Sequence, residues 1–394
     1  MAHPFAITLD VGSSLANRTG SWRSVRPEYV HRLPPCNDAC PAGEDIQGWL
    51  AKAEAGDYEG AWEALTRNNP LPAVMGRVCY HPCENACNRR AIDATVGINS
   101  VERFLGDLAL EKGWAFAPPA EESGRRVLVI GAGPSGLSAA YHLRRLGHAV
   151  TIREAGPLPG GMMRFGIPKY RLPREVLDGE VARIVAMGVE IVYDAKVDDI
   201  LATMREDGFD AAFLAVGAHI AKRAYIPAGE AAHVLDAVQV LRSMEGEAKP
   251  LLGRRVVVYG GGNTAIDVAR TAKRLGAEEA VIVYRRTRDR MPAHDFEVEE
   301  ALEEGVMMKW LSTIKNVEAG SITVERMVLD DTGFPRPTGE FETLEADSVV
   351  LALGQDVDLS LLEGVPGLVI EDGVVRVGPD MMTGAPGIFA GGDM

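Results

Sequence analysis

Cysteine is missing from most of this chain: all five cysteines precede residue 90, and none follows Cys87 in 394 residues. An odd count at one end does not build a disulfide framework, and the remaining chain has no redox-active dithiol. Long apolar runs are missing too. None approaches the about 20 residues that a membrane-spanning helix needs, so no membrane partner is expected. The opening residues Met1–Asp10 carry neither a basic start nor a long apolar stretch, so no secretory signal is expected. Reduced cysteines without a signal point to the cytoplasm. Positive charge is scarce: 41 Lys and Arg stand against 56 Asp and Glu, a net charge of −15. That balance argues against a nucleic acid partner and is compatible with a cationic patch on another protein. The rest is ordinary for a globular protein, with 46% apolar and 25% charged residues and length for two or three domains.

The chain does concentrate glycine in two turns. Val127-Leu-Val-Ile-Gly131-Ala-Gly133-Pro134-Ser135-Gly136 reads as strand, glycine turn and helix start, with Thr151-Ile-Arg-Glu154 as the next strand. Val256-Val-Val-Tyr-Gly260-Gly-Gly262-Asn263-Thr264-Ala265 repeats the pattern, with Val281-Ile-Val-Tyr-Arg285-Arg286 after it. In such a turn the first glycine allows the tight bend and the second lets backbone N–H groups approach a pyrophosphate. The third position must be small so that helix and strand can pack. Aligning the two second strands sets Glu154 opposite Arg285. A carboxylate there accepts from a free ribose 2′-hydroxyl and repels a 2′-phosphate, whereas a guanidinium binds one. FAD at the first turn and NADPH at the second fit that pair.

Residues 36 to 112 read as helical. Asp45 precedes Ile46, Trp49, Leu50 and Ala53, an amphipathic face with an N-cap, and Asp57–Thr66 and Val101–Leu110 are further helices. Gly12–Arg23 reads as an extended arm, with Trp22 and Tyr29 suited to lying against something. Ala115–Gly124 is a Pro-rich boundary, after which strands and helices alternate. Ala211–Gly217 and Val349–Gly354 are apolar strands ending in glycine, each closing one nucleotide-binding unit. The second unit is thus inserted in the first, and the charge run Glu297–Glu304 is expected to be the solvated face of a helix. The expected domains are an arm (1–30), a helical metal-binding domain (31–120), the first dinucleotide domain (121–235 and 355–394) and the second (236–354).

The cysteines fall as Cys36-x3-Cys40-Pro41 and Cys79-x3-Cys83-x3-Cys87. Soft thiolates grouped in this way select an iron–sulfur cluster or zinc. The Cys-Pro pair favours iron–sulfur, and zinc would usually show Cys-x2-Cys pairs. A cluster also suits two dinucleotides, since a flavin splits a hydride pair into single electrons.

These motifs together resemble the NADPH-dependent small subunit of bacterial glutamate synthase and its relatives, which include the N-terminal half of dihydropyrimidine dehydrogenase and NADPH–ferredoxin oxidoreductases. The resemblance covers residues 34 to 394. It is carried by Cys36-x3-Cys40-Pro41, Leu71-Pro72, Gly76-Arg-Val-Cys79, Val101-Glu102-Arg103, Gly131-Ala-Gly-Pro134, Gly160-Gly161 and Phe165-Gly-Ile-Pro168. Gly260-Gly-Gly-Asn-Thr264, Tyr284-Arg-Arg286, Met291-Pro292 and Phe389-Ala-Gly-Gly-Asp393 complete it. It implies an α/β fold of two Rossmann-like dinucleotide-binding domains, the NADPH domain inserted in the FAD domain, preceded by an all-α iron–sulfur domain. It also implies roles. Glu154 would bind the FAD ribose, Gly160, Gly161 and Phe165 would lie by the flavin, and Asp393 would hold the ribityl or phosphate region. Arg285 and Arg286 would bind the 2′-phosphate of NADPH.

Two departures stand out. Glu28 and His31 occupy positions where the family usually carries two more cysteines, and the spacing from Cys79 to Cys83 is shorter. One 4Fe–4S cluster is therefore expected, on Cys40, Cys79 and Cys83, with Glu102, Cys87 or Cys36 as fourth ligand. Relatives also continue past the Gly-Gly-Asp with a helix that covers the flavin, which implies truncation here or completion by another chain. The expected function is an electron-transfer flavoprotein subunit needing no catalytic side chain. Its partner would be a ferredoxin, a glutamate synthase large subunit or a 2-oxoacid:ferredoxin oxidoreductase. A disulfide reductase would need a Cys-x-x-Cys near the flavin, and a non-catalytic assembly subunit would have lost its flavin contacts.

Overall fold

The chain folds as a helical N-terminal region followed by two parallel five-stranded sheets, in a computed structural model that describes residues 34–222, 226–227, 233–246 and 249–394. The arm Gly12–Arg23, with Trp22, Glu28, Tyr29 and His31, lies outside the described residues. The helical region comprises α1 (Pro35–Ala39), α2 (Ile46–Glu54), α3 (Tyr58–Leu65), α4 (Pro72–Val78), α5 (Pro82–Asn85) and α6 (Ile98–Lys112). Asp45 and Asp57 cap α2 and α3 by accepting from the Gly48 and Gly60 amides. Each cap satisfies an orphan N–H and contributes about 1 kcal/mol. The apolar stripes of α2, α3 and α6 close a core of Ile46, Trp49, Leu65, Ile98 and Leu105 that also takes in Cys83.

The first sheet contains β1 (Arg126–Ile130), β2 (Ala149–Arg153), β3 (Glu190–Val192), β4 (Ala211–Leu214) and, from far along the chain, β17 (Ile388–Ala390), in the order β17-β4-β1-β2-β3. Helices α7 (Pro134–Arg145), α8 (Met162–Phe165), α9 (Arg174–Val185) and α10 (Ile200–Asp207) flank it. After β5 (Ala218–Ala221) the chain builds a second sheet from β6 (Val234–Asp236), β7 (Arg255–Tyr259), β8 (Glu279–Val283), β9 (Met307–Lys309) and β13 (Ser348–Leu351), ordered β6-β13-β7-β8-β9. Helices α11 (Ala237–Ser243), α12 (Asn263–Arg274) and α13 (Asp295–Glu303) accompany it. An antiparallel meander, β10 (Ser312–Glu318), β11 (Ser321–Leu329) and β12 (Pro335–Glu345), packs on one face. The strands β14 (Gln355–Val357) and β5 pair antiparallel, so the chain leaves and re-enters the first unit side by side, and the short hairpin β15 (Ile370–Glu371) and β16 (Val374–Val375) precedes β17.

The helical region does not keep a separate core throughout. Leu71, Ala73 and Val74 at the start of α4 share one buried cluster with Leu137, Tyr141 and Leu177 of the first unit. Fully buried Glu180 of α9 accepts the Ala73 and Val74 amides, each at 2.9 Å. A carboxylate at a helix N-terminus satisfies orphan donors and opposes the helix dipole, so α4 is held against the first sheet by its own backbone.

The charge run Glu297–Glu304 is a solvated face at Glu299, Glu300 and Glu303, which are exposed, but not at Glu297. Glu297 on α13 is 1% exposed and faces Arg171 at 2.5 Å, while Glu300 and Glu304 pair with Arg270 and Arg274 of α12. Sequence spacing does not reveal arginines supplied by other helices.

Candidate functional site

Each glycine turn sits where a strand feeds a helix, at the carboxyl end of the sheet. Gly131 (φ +105°) and Gly260 (φ +150°) both donate their N–H to the strand beside them, at Arg153 O and Val283 O. A Cβ on either would lie 2.4 Å from Ala215 O or 2.2 Å from Ala352 O, so only glycine fits. The first turn is tighter at its far end: a Cβ on Gly136 would lie 1.9 Å from Gly131 O, whereas the second turn admits Ala265, fully buried.

Around the first turn the structure gathers residues distant in sequence. Glu154 Oε2 accepts the Ala132 amide and Oε1 the Gly156 amide, both at 2.8 Å. Gly161 (φ +50°) approaches Gly133 so closely that a Cβ on it would lie 2.8 Å from Gly133 Cα. Ser135 Oγ, beside Pro134 at the start of α7, donates to Gly391 O at 2.9 Å, which sets the exposed Asp393 next to the turn. Phe165 ends α8 with the Arg242 guanidinium 5.0 Å over its ring. Bare glycine backbone, a helix N-terminus and a carboxylate with free lone pairs together fit an adenine dinucleotide by donor chemistry.

The second turn corrects the expected alignment. Strand register pairs Ile130 with Arg153 and Tyr259 with Val283, so Tyr284, not Arg285, stands where Glu154 stands. The loop between α12 and β8 is one residue longer than its counterpart between α7 and β2, which moves the position equivalent to Glu154 from Val283 to Tyr284, one short of Arg285. The Tyr284 ring fills the space beneath Gly261, and its hydroxyl donates to Arg290 O at 2.7 Å. Arg285 follows, exposed, then half-buried Arg286, and among the described residues neither pairs with a carboxylate. Thr264 and Asn263 open α12. Asn263 Nδ2 donates to the Tyr80 hydroxyl at 2.6 Å, and its Oδ1 accepts the His294 amide at 3.1 Å.

In the helical region Cys40 follows α1, Cys79 follows α4 and Cys83 lies in α5. Burial pushes the Cys40 and Cys79 thiols up, and the neighbouring Glu44 and Glu102 add to it. Cys83 is pushed up to about 12 by burial and by Cys79 and Cys40. These three thiols therefore share one environment. Cys36 packs near them against the helical core; Cys87, half-buried after α5, has its thiol lowered by backbone N–H groups of Val96 and Arg89. Glu102 is buried and accepts from Asn69 Nδ2 at 2.7 Å; that same Nδ2 also reaches Glu44 at 3.1 Å. Glu44 was not legible in the sequence: it sits in a loop before a cap, and Trp49 Nε1, donating to it at 3.2 Å, joins Asn69 in satisfying it where it is buried. Burial holds both acids above the usual carboxylate range. Among the described residues no three His, Cys, Asp or Glu side chains converge on a single-ion site. Three thiols in one half-buried pocket nevertheless fit soft-metal ligation by donor chemistry.

A cavity of about 620 Å³ lined by Val127, Phe213, Phe389 and Leu143 lies towards the amino ends of β1 and β4, away from both turns.

Two glycine turns on interleaved parallel sheets define a two-dinucleotide oxidoreductase. A family model described as pyridine nucleotide-disulphide oxidoreductase matches residues 125–394, and this chain belongs to that family. A second model, dihydropyrimidine dehydrogenase domain II with a 4Fe-4S cluster, matches residues 30–114. The NADP(+)-dependent formate dehydrogenase subunit beta of Moorella thermoacetica is 39% identical over 91% of this chain and 56% of its own length. The NADPH-Fe(3+) oxidoreductase subunit beta of Geobacter sulfurreducens is 36% identical over 93% of this chain and 62% of its own length. This chain thus spans less than two thirds of both relatives. The NAD-dependent dihydropyrimidine dehydrogenase subunit PreT of Escherichia coli is 33% identical, with 91% and 85% covered. Among solved structures, Mycobacterium tuberculosis FprA in complex with NADPH shares the fold, with a TM-score of 0.55 at 20% identity over 68% of this chain and 78% of its own. The thioredoxin reductase of T. acidophilum gives 0.53 at 19% identity over 68% of this chain and 90% of its own.

Proposed function

We propose that this chain is the NADPH-oxidising subunit of an electron-transfer complex, with FAD at the first turn, NADPH at the second and one 4Fe–4S cluster in the helical region. One observation carries the reading: two turns of the same backbone geometry end in opposite chemistry, Glu154 at one and the unpaired Arg285 and Arg286 after the other. Flavin chemistry converts a hydride pair into single electrons, which an iron–sulfur cluster accepts. The protein supplies position and charge. Glu154 would accept from the ribose hydroxyls, the Gly133–Gly136 backbone would face the pyrophosphate, Gly160, Gly161 and Phe165 would lie by the flavin, and Asp393 would hold the ribityl or phosphate region. Gly260, Gly262, Asn263 and Thr264 present the second helix N-terminus. Cys40, Cys79 and Cys83 hold the cluster, with Glu102 as the fourth ligand ahead of Cys36 and Cys87, since Glu102 shares the pocket and Cys87 does not.

The domain limits we take are 31–120 for the cluster, 121–235 and 355–394 for FAD, and 236–354 for NADPH, although β6 (Val234–Asp236) of the second sheet straddles the 235/236 limit. With no cysteine after Cys87, a disulfide reductase reading has no dithiol to use. We place the chain in a reducing cytoplasm on its free thiols. Among the described residues no helix is long and apolar enough to cross a membrane. The net charge of −15 is compatible with a cationic patch on the partner, and the arm Gly12–Tyr29, untypical of the glutamate synthase subunit, puts a ferredoxin or a 2-oxoacid:ferredoxin oxidoreductase ahead of a glutamate synthase large subunit.

Anaerobic purification tests this. The sample should be yellow, contain about four iron and four sulfide per chain, and bleach on addition of NADPH. A colourless chain would instead favour a non-catalytic assembly subunit, and about eight irons would overturn the single cluster.

A further inference from the structure

The helix that opens at the second glycine turn is gripped from two sides by residues of the other regions. Asn263 and Asp267 lie one turn apart on α12 and so share a face. Asp267 meets Arg171, which follows the Phe165-Gly-Ile-Pro168 segment, at 2.8 Å, and Arg171 also pairs with Glu297 of α13. Asn263 meets Tyr80, which stands between Cys79 and His81 in the cluster loop. The Tyr80 ring stacks on His294 with centroids 3.7 Å apart and 18° between planes, and Phe296 closes the side. Both ends of the Asn263 amide are thereby occupied, one by a hydroxyl from the cluster loop and the other by the His294 backbone.

On the other side of Tyr80 the loop is equally constrained. His81 is held at φ +39°, a left-handed conformation that side chains disfavour. That turn aims the His81 N–H at Cys79 Sγ, 3.3 Å away. Hydrogen bonds to ligand sulfurs are one of the levers on a cluster's reduction potential. A pyrophosphate arriving at the N-terminus of α12 engages the turn to which Asn263 belongs. A shift of Asn263 reaches Tyr80 through one hydrogen bond, and a shift of Tyr80 moves the neighbouring N–H that points at Cys79.

We propose that Tyr80 is a positioning residue that ties occupancy of the second turn to the cluster loop: it fixes Asn263 for the pyrophosphate and transmits dinucleotide binding to Cys79. This rests on the reading of the second turn as the NADPH site. Nothing in the family match or the glycine pattern assigns a role to Tyr80.

The test uses the full chain with its cofactors, purified anaerobically, and NADP+ as the probe. Tyr80→Phe keeps the ring on His294 and removes only the hydroxyl. It should weaken NADP+ binding about fivefold, as loss of one hydrogen bond does. Asn263→Ala should weaken it at least as much, and the double variant no more than Asn263→Ala alone, because the two act as a unit. In the unsubstituted chain NADP+ should shift the EPR signal of the reduced cluster, and in Tyr80→Phe that shift should vanish while the signal itself persists. A purely structural Tyr80 would lower the unfolding temperature and leave the NADP+-induced shift in place. Unchanged affinity in Tyr80→Phe, additive losses in the double variant, or a shift that survives in Tyr80→Phe each overturn the proposal. If the unsubstituted chain binds no NADP+ at all, the reading of the second turn fails first.

Discussion

The two parallel units repeat one design and diverge at one position. In both, the central strand runs into a glycine that could not carry a side chain, and the neighbouring strand supplies the carbonyl that receives its N–H. Even the strand orders correspond, except that the outermost strand, β17 or β6, ends the chain's path in the first unit and begins it in the second. Permuting that strand lets one unit be inserted in the other without breaking either sheet. The divergence comes one residue past the second strand: Glu154 in one unit and Tyr284 in the other. A carboxylate bonded to the turn amides sets the first site against added negative charge. A ring packed under the turn leaves the second site to the arginines that follow. On the proposed assignment, backbone geometry makes a dinucleotide site and the side chains beside it select which dinucleotide enters.

The sharpest way to break this comparison is to damage one turn at a time. Gly136→Ala places a methyl group on Gly131 O and should abolish flavin binding, read as loss of the flavin absorbance relative to protein. Gly260→Ala should leave the chain yellow while slowing its reduction by NADPH at least a hundredfold. If Gly260→Ala also removed the flavin, or Gly136→Ala also abolished NADP+ binding, the two sites would not be independent.

A smaller effect is expected where the units differ. Arg285→Ala removes one charge-assisted contact to the 2′-phosphate, worth about 1.5–3 kcal/mol, so the preference for NADPH over NADH should fall about 10- to 100-fold in kcat/KM. Equal losses with both coenzymes would place Arg285 on the adenine or the surface instead.

The smallest effect concerns how the units are anchored. Glu180 ties the helical region to the first unit, and burial raises its carboxyl to about 8 despite the two amides it accepts. Glu297, between first and second units, is raised to about 7, again chiefly by burial. Both folded values exceed the ordinary 4.5, so the folded chain keeps protons that the unfolded chain releases. Their stabilising contribution is complete below about 4.5 and is lost as the pH rises to about 7 for Glu297 and about 8 for Glu180. The thermal unfolding midpoint should fall by a few degrees across that window. Glu180→Gln should flatten the upper part of the fall, and an unchanged profile would show that the amides, not burial, govern Glu180.

Much of this was legible in the residues alone. Glycine at 131 and 260 follows from a positive φ, and at 136 from a Cβ that would strike Gly131 O, local demands written where they act, whereas at 133 and 262 the φ is ordinary and nothing crowds a Cβ. Asp45 and Asp57 announce α2 and α3 for the same reason, since a cap bonds within three residues. The thiols of Cys40, Cys79 and Cys83 were legible as a group because few intracellular proteins cluster cysteine without a metal. What only the tertiary structure decided are the pairings across sequence. Tyr284 took the place expected for Arg285 because the pairing of Val283 with Tyr259, as of Arg153 with Ile130, sets which residue follows the second strand. Glu297 became a buried partner of Arg171 because another region brought the guanidinium to it. Glu44 joined Glu102 through Asn69, and Tyr80 met Asn263 across 183 residues of chain. Local conformation depends on a residue and its near neighbours. The charge and hydrogen-bond partner of a buried polar group depend on whatever else the fold places beside it.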